Sequence, residues 1–193
     1  PYIYSRDELR RLFDSATIEI SRRGAVQLDA ATFRTLLVLL YGAGLRFSEA
    51  TGLMLQDVDL TENILTIRGT KFYKSRLVPI GSPLAMTLAN YLQVSWRREL
   101  AQAEIDFFLT NRDGTRIAKS TAQEAFSELR RVAGFYGKTG ASRIPRLHDL
   151  RHSFAVHNLR PGIGRERMCS ACCPCCPLIS AIPIWKAQKS ICR

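Results

Sequence analysis

Cysteine is missing from the first 168 residues of this 193-residue chain and then occurs six times in the last 25, at Cys169, Cys172, Cys173, Cys175, Cys176 and Cys192. A disulfide framework staples a secreted fold along its whole length, so this distribution excludes one and marks a break in composition. Residues 160–193 also contain neither tyrosine nor histidine. Long apolar runs are lacking too: none reaches 18 residues, and Pro1-Tyr2-Ile3-Tyr4-Ser5 does not show the basic-then-apolar pattern of a secretory leader. A cytoplasmic protein with no membrane partner is therefore expected. The first residue is not Met, so the chain is expected to begin inside a longer product.

Acidic residues are scarce. Only 17 Asp and Glu oppose 28 Lys and Arg, leaving a net charge of +11, more than solubility demands of a small domain and suited to a polyanionic partner. With 46% hydrophobic residues the chain can bury a proper core, and its length fits one domain.

What is present has a clear order. Ser5-Arg-Asp-Glu8, followed by Leu9, Leu12 and Phe13, reads as a capping box opening an amphipathic helix, with Ser5 and Glu8 each satisfying the other's backbone amide. Over residues 31–41, Phe33, Leu36, Leu37, Leu39 and Leu40 recur at helical spacing, and Gly42 and Gly44 supply a stop. Ser48-Glu49-Ala50 begins a short third helix, which leaves Arg46 in a turn between two apolar helices. Ile64-Leu-Thr-Ile67 and Leu77-Val-Pro-Ile80 flank a polar turn, predicting a small antiparallel sheet. Ser82-Pro83 starts another helix, with proline expected at its first position. Residues 107–110 lead into the turn Asn111-Arg112-Asp113-Gly114, and residues 120–133 and 147–158 are helical by pattern. The fold expected is a mostly helical α+β domain with a small sheet. After Leu159, Pro161, Gly162, Gly164, Pro174, Pro177 and Pro183 interrupt every candidate element, predicting a poorly ordered tail over 160–193.

Three pieces then stand in sequence: Tyr41-Gly-Ala-Gly-Leu-Arg46-Phe-Ser-Glu-Ala50, Lys71 in the hairpin turn, and His148-Asp-Leu-Arg151-His-Ser-Phe-Ala155. Each alone is weak; the ordered set resembles the catalytic domain of tyrosine-type site-specific recombinases of the phage integrase family, over residues 1–159. The resemblance implies transesterification at a DNA phosphate through a 3′-phosphotyrosyl intermediate, needing no metal or cofactor. Negative charge grows on the non-bridging oxygens in such a reaction, and guanidinium forks meet two oxygens at once while staying protonated. Arg46 and Arg151 are the implied clamp. His148 lies three residues before Arg151, which on a helix places both on one face; its implied role is hydrogen bonding and proton transfer near the nucleophile. His152 is expected to point elsewhere. Lys71 is the implied general acid for the departing 5′ oxygen, with Lys74 and Arg76 as competitors in the same hairpin. Lys74, Arg76, Lys119 and Arg146 are further candidates for gripping the duplex backbone. The implied partners are double-stranded DNA and, in the family, three further copies in a tetrameric synapse. The family's upstream core-binding domain is expected to be missing from these 193 residues.

The tail departs from the family's pattern. A Leu-Gly-His motif and, about nine residues later, the nucleophilic tyrosine should follow Arg151; residues 160–193 hold neither. A displaced reading frame accounts for this. If the frame moves back one nucleotide, the codons behind Ile179-Ser-Ala-Ile-Pro can encode Leu-Gly-His-Thr, those of Trp185-Lys186 must encode Glu, and those of Ser190-Ile191 can encode Tyr, nine positions after the histidine. Out-of-frame reading of leucine, methionine and valine codons also yields TGC and TGT, hence cysteine. On this reading the chain is cleavage-defective. Two alternatives stay open: a non-cleaving module that occupies recombination sites, and a cysteine-rich zinc-binding or interaction protein built on Cys169-x-x-Cys172-Cys173-Pro-Cys175-Cys176.

Overall fold

The computed structural model describes residues 1–22, 28–69, 75–99, 107–135 and 144–159. Within them the chain forms six helices and a three-stranded sheet: α1 (Arg6–Arg22), α2 (Ala30–Gly42), α3 (Phe47–Thr51), β1 (Val58–Asp59), β2 (Ile64–Ile67), β3 (Arg76–Pro79), α4 (Ser82–Glu99), α5 (Lys119–Val132) and α6 (Asp149–Leu159). The mostly helical α+β architecture expected from the pattern is present. The tail and the hairpin residues 70–74 lie outside the described residues, as do Lys71 and Lys74 with them.

The centre is α2, the only strongly apolar helix by sequence among the six, on which nine side chains from Thr32 to Tyr41 are buried. A helix apolar all round must be covered all round, and α1, α3, α4 and α6 pack against it. Asp29 caps its start by accepting from the Ala31 amide at 3.0 Å. The hydroxyls of Thr32 and Tyr91 pair at 3.0 Å, so burial leaves neither without a partner. The capping box of α1 forms as its sequence predicts: Glu8 accepts from the Ser5 amide at 2.8 Å and Ser5 accepts from the Glu8 amide at 3.2 Å. Helix α1 then buries Leu9, Leu12, Phe13 and Ala16 between α2 and α5.

The sheet runs β1-β2-β3, antiparallel throughout. Pairing of Ile67 with Arg76 and of Ile64 with Pro79 fixes the register on either side of residues 68–75. Alternation along β2 sends Leu65 and Ile67 into the core. Two elements escaped the sequence pattern, the two-residue strand β1 and a 3-10 turn at Leu55–Asp57; both are too short to generate a period. Helix α4 begins one residue before Pro83 rather than at it. Among the described residues no helix is long and apolar enough to cross a membrane.

Candidate functional site

Helix α2 ends at Gly42, and the chain turns through Gly44, whose φ of +61° is a left-handed conformation that glycine adopts without strain. A Cβ at Gly44 would lie 2.3 Å from Cδ1 of Phe154 on α6. The close approach lets the Gly44 carbonyl accept a hydrogen bond from Arg151. The turn delivers Arg46 to the N-cap of α3. The two arginines of the expected clamp, 105 residues apart in sequence, are thereby brought to one corner.

That corner is organised by a residue the sequence reading did not single out. The Glu49 side chain is only 6% exposed, and three guanidinium groups surround it. Arg46 donates to Oε1 at 2.8 Å through its side chain and to Oε2 at 2.8 Å through its backbone amide. Arg76 reaches both oxygens, at 3.0 and 2.8 Å, and Arg151 stands 3.6 Å from Oε2. Burial alone would raise the Glu49 pKa, but the bonds from Arg76 and Arg46 hold it down at about 2. The signal was in the sequence: Arg46-Phe-Ser-Glu49 has the N-cap to N3 spacing already recognised at Ser5 and Glu8.

Three guanidinium charges against one carboxylate leave the corner positively charged, and the cations keep their outer edges wet, at 48%, 37% and 29% exposure for Arg46, Arg76 and Arg151. Burial and the neighbouring Arg46 charge push the Arg151 pKa down, while Glu49 pulls it back. An anion landing on these exposed edges relieves that repulsion. Each guanidinium has five N–H donors, so enough remain for the paired oxygens of a phosphodiester.

His148 lies three residues before Arg151. It sits in the turn just before α6 rather than inside the helix. The turn is pinned by Asp149, which is buried and accepts from the Arg146 amide at 2.8 Å. Burial, then the His152 ring, then the Arg151 charge lower the His148 pKa below its usual value, which favours a neutral imidazole able to accept a proton. The expectation that His152 points elsewhere is overturned: the two rings meet edge to face with centroids 4.8 Å apart, because four residues are close to one helical turn.

The other candidates separate. Arg76 joins the corner through Glu49 rather than standing apart as a backbone-gripping residue. Arg146 is 68% exposed, 3.6 Å from Asp149, and close enough to His148 to depress its pKa. Lys119 is exposed at the first residue of α5, which packs on α1. Behind Glu49 a cleft of about 290 Å³ opens between α3 and β2, walled by Gly52, Asp57, Arg68, Phe107 and Arg116. Among the described residues no three His, Cys, Asp or Glu side chains gather as a metal site.

Comparison with known proteins bears on the family and the fold. The description of the phage integrase family matches residues 4–167. The y4rB protein of Sinorhizobium fredii, named as a candidate integrase/recombinase, is 40% identical over 159 residues, covering 82% of this chain and 50% of its own length. The tyrosine recombinase XerD of Bifidobacterium longum is 35% identical over 168 residues, covering 84% and 51%. Among solved structures, a crystal structure of XerA recombinase superposes with a TM-score of 0.63 at 25% identity, over 83% of this chain and 52% of that one. The chain thus spans about half the length of the curated relatives it matches.

Proposed function

The chain belongs to the phage integrase family, and from that membership we propose that residues 1–159 are the phosphate-activating part of a tyrosine recombinase that engages double-stranded DNA for site-specific strand breakage and rejoining. The observation carrying this reading is the cluster of Arg46, Arg76 and Arg151 around the single buried carboxylate of Glu49. Such a cluster is preorganised for the charge that develops on a phosphodiester under attack, because its donors are fixed before the reaction begins. Arg46 and Arg151 bind the non-bridging oxygens, Arg76 completes the clamp, and neutral His148 exchanges a proton beside the nucleophile. Lys71, in the hairpin between β2 and β3, protonates the departing 5′ oxygen. Lys74, Lys119 and Arg146 grip backbone phosphates flanking the site.

The nucleophilic tyrosine is the missing piece. Residues 160–193 supply no tyrosine, and Tyr136, the last in the chain, precedes the His148 motif. We read this 193-residue chain as binding DNA without cleaving it, its tail being the product of a displaced reading frame. Such a chain would occupy recombination sites as a non-cleaving module.

A salt titration of binding to a duplex, followed by incubation with a nicked suicide substrate, tests both parts. Affinity should fall steeply and log-linearly with salt as counterions are released, and no covalent adduct should form. Binding indifferent to salt would sink the DNA reading; an adduct surviving denaturation would sink the loss of cleavage. Codons behind residues 179–191 that cannot encode Gly-His and Tyr in the earlier frame would remove the account of the tail.

A further inference from the structure

Helix α3 has five residues, far short of what a helix needs to hold itself together. Yet its first turn carries Arg46 and Glu49, whose relative placement defines the clamp. Its N-terminal end is tied by Glu49 itself. Its C-terminal end is tied from a distant part of the chain. Arg116 donates through Nε to the Thr51 carbonyl at 3.0 Å and through a terminal nitrogen to the Ser48 carbonyl at 3.0 Å.

Two features fix Arg116 itself. Its guanidinium lies over the Phe107 ring, 5.8 Å from the centroid, a stacking geometry a guanidinium favours. Its backbone belongs to the bridge between Thr110 and Arg116 that closes the Asn111 turn, where the Asn111 amide nitrogen also donates to the Arg116 carbonyl at 3.3 Å. The space it fills has been left open for it, since a Cβ on Gly52 would come within 2.9 Å of its terminal nitrogen. A planar cation at a helix C-terminus complements the negative end of the helix; here it adds a second donor to the Ser48 carbonyl, which also accepts from the Gly52 amide at 3.1 Å, and supplies one to the carbonyl of Thr51, the last helical residue.

We propose that Arg116 is a positioning residue for the clamp: by binding the Ser48 and Thr51 carbonyls it fixes the tilt of α3 and so aims Arg46 and Glu49 at the phosphate. The inference rests on the phosphate-clamp reading for its functional meaning, but the placement of Glu49 among the arginines can be measured without DNA. Without Arg116, α3 rocks on its N-terminal tether and Glu49 moves out of register with Arg76 and Arg151. The planar fork spans two carbonyls at once, which a lysine ammonium cannot do equally well.

The test follows the Glu49 carboxylate by carbon-detected NMR across an acid titration in the wild-type chain, Arg116→Met, Arg116→Lys and Gly52→Ala, alongside melting curves and duplex affinity. Gly52→Ala keeps every charge and puts a methyl group 2.9 Å from both the guanidinium and the Ser48 carbonyl, so it breaks the same contact from the α3 side if Arg116→Met fails to fold. The expected result is a Glu49 that holds its negative charge about tenfold less firmly in Arg116→Met and Gly52→Ala, a shift of about one pH unit, with a smaller change in Arg116→Lys and duplex affinity falling in the same order. A Glu49 titration identical to wild type in the variants that fold, with only the melting temperature lowered, overturns the proposal and leaves Arg116 a purely structural cap. If Glu49 shifts as expected but the wild-type chain binds no duplex, the positioning role stands and the DNA reading falls.

Discussion

The corner around Glu49 and the contact between α2 and α6 meet at Gly44, yet opposite physics holds them. At the corner, one inward carboxylate gathers three partly wet cations; its geometry is electrostatic and responds to pH and to anions. A few ångströms away, Phe154 packs against a glycine that has no room for a methyl group, and the Tyr41 hydroxyl meets Nδ1 of His157 at 3.1 Å from within the core. That contact is steric and tolerates no added atom. The contrast teaches how a site can present loose, exposed cations with accurate aim: the charges are adjustable, and the backbone that carries them is not.

The sharpest way to break this contrast is Gly44→Ala. It imposes a side chain at φ +61° and drives a Cβ to 2.3 Å from the Phe154 ring. A loss of about 3 kcal/mol is expected from left-handed strain and overpacking together, seen as a melting temperature lower by roughly 10 °C. A melt unchanged from wild type would mean that α6 is not seated by this contact.

Glu49→Gln probes the other side and should cost less, about 2 kcal/mol, because the stranded guanidiniums can turn to water. Its pH dependence is diagnostic. The folded-state pKa of Glu49 is depressed to about 2 from an ordinary 4.5. Its contribution is therefore complete above pH 4.5 and is lost as pH falls towards 2. Denaturant midpoints of wild type and variant should differ at neutral pH and converge across that acid window; a constant gap would show that the carboxylate acts by shape alone.

The smallest effect concerns His148. Imidazole resonances should titrate below the usual 6.5, and His152→Ala should move the midpoint upward by relieving the second largest cause of the depression. Proton NMR of the ring hydrogens reads this directly, and an unmoved midpoint would reduce the His148 and His152 contact to packing.

Much of the site was legible before any coordinates. Arg46, His148 and Arg151 stand in motifs whose order carries chemistry, and the capping box at Ser5 and the apolar period of α2 follow from local rules of hydrogen bonding and burial. Glu49 was legible in principle and missed, because its spacing from Arg46 looked like an ordinary helix start. Arg116 was not legible: Ser48 and Thr51 lie 68 and 65 residues away from it, and no local period links a turn residue to the end of a distant five-residue helix. The His152 ring lies beside His148 because its distance from His148 is four residues, close to one helical turn, whereas its adjacency to Arg151 had suggested a different face.

The sequence by itself determined the family, the helical core and the ordered motifs that carry Arg46, His148 and Arg151, since periodicity, caps and motif order are properties of neighbours along the chain. Tertiary structure alone decided that Arg46, Arg76 and Arg151 converge on one carboxylate and that α3 is tied at both ends. The physical reason is that convergence of charge is set by the packing of α6 on Gly44 and of the Arg116 loop on Gly52. Those contacts depend on distances in space that residue spacing does not encode.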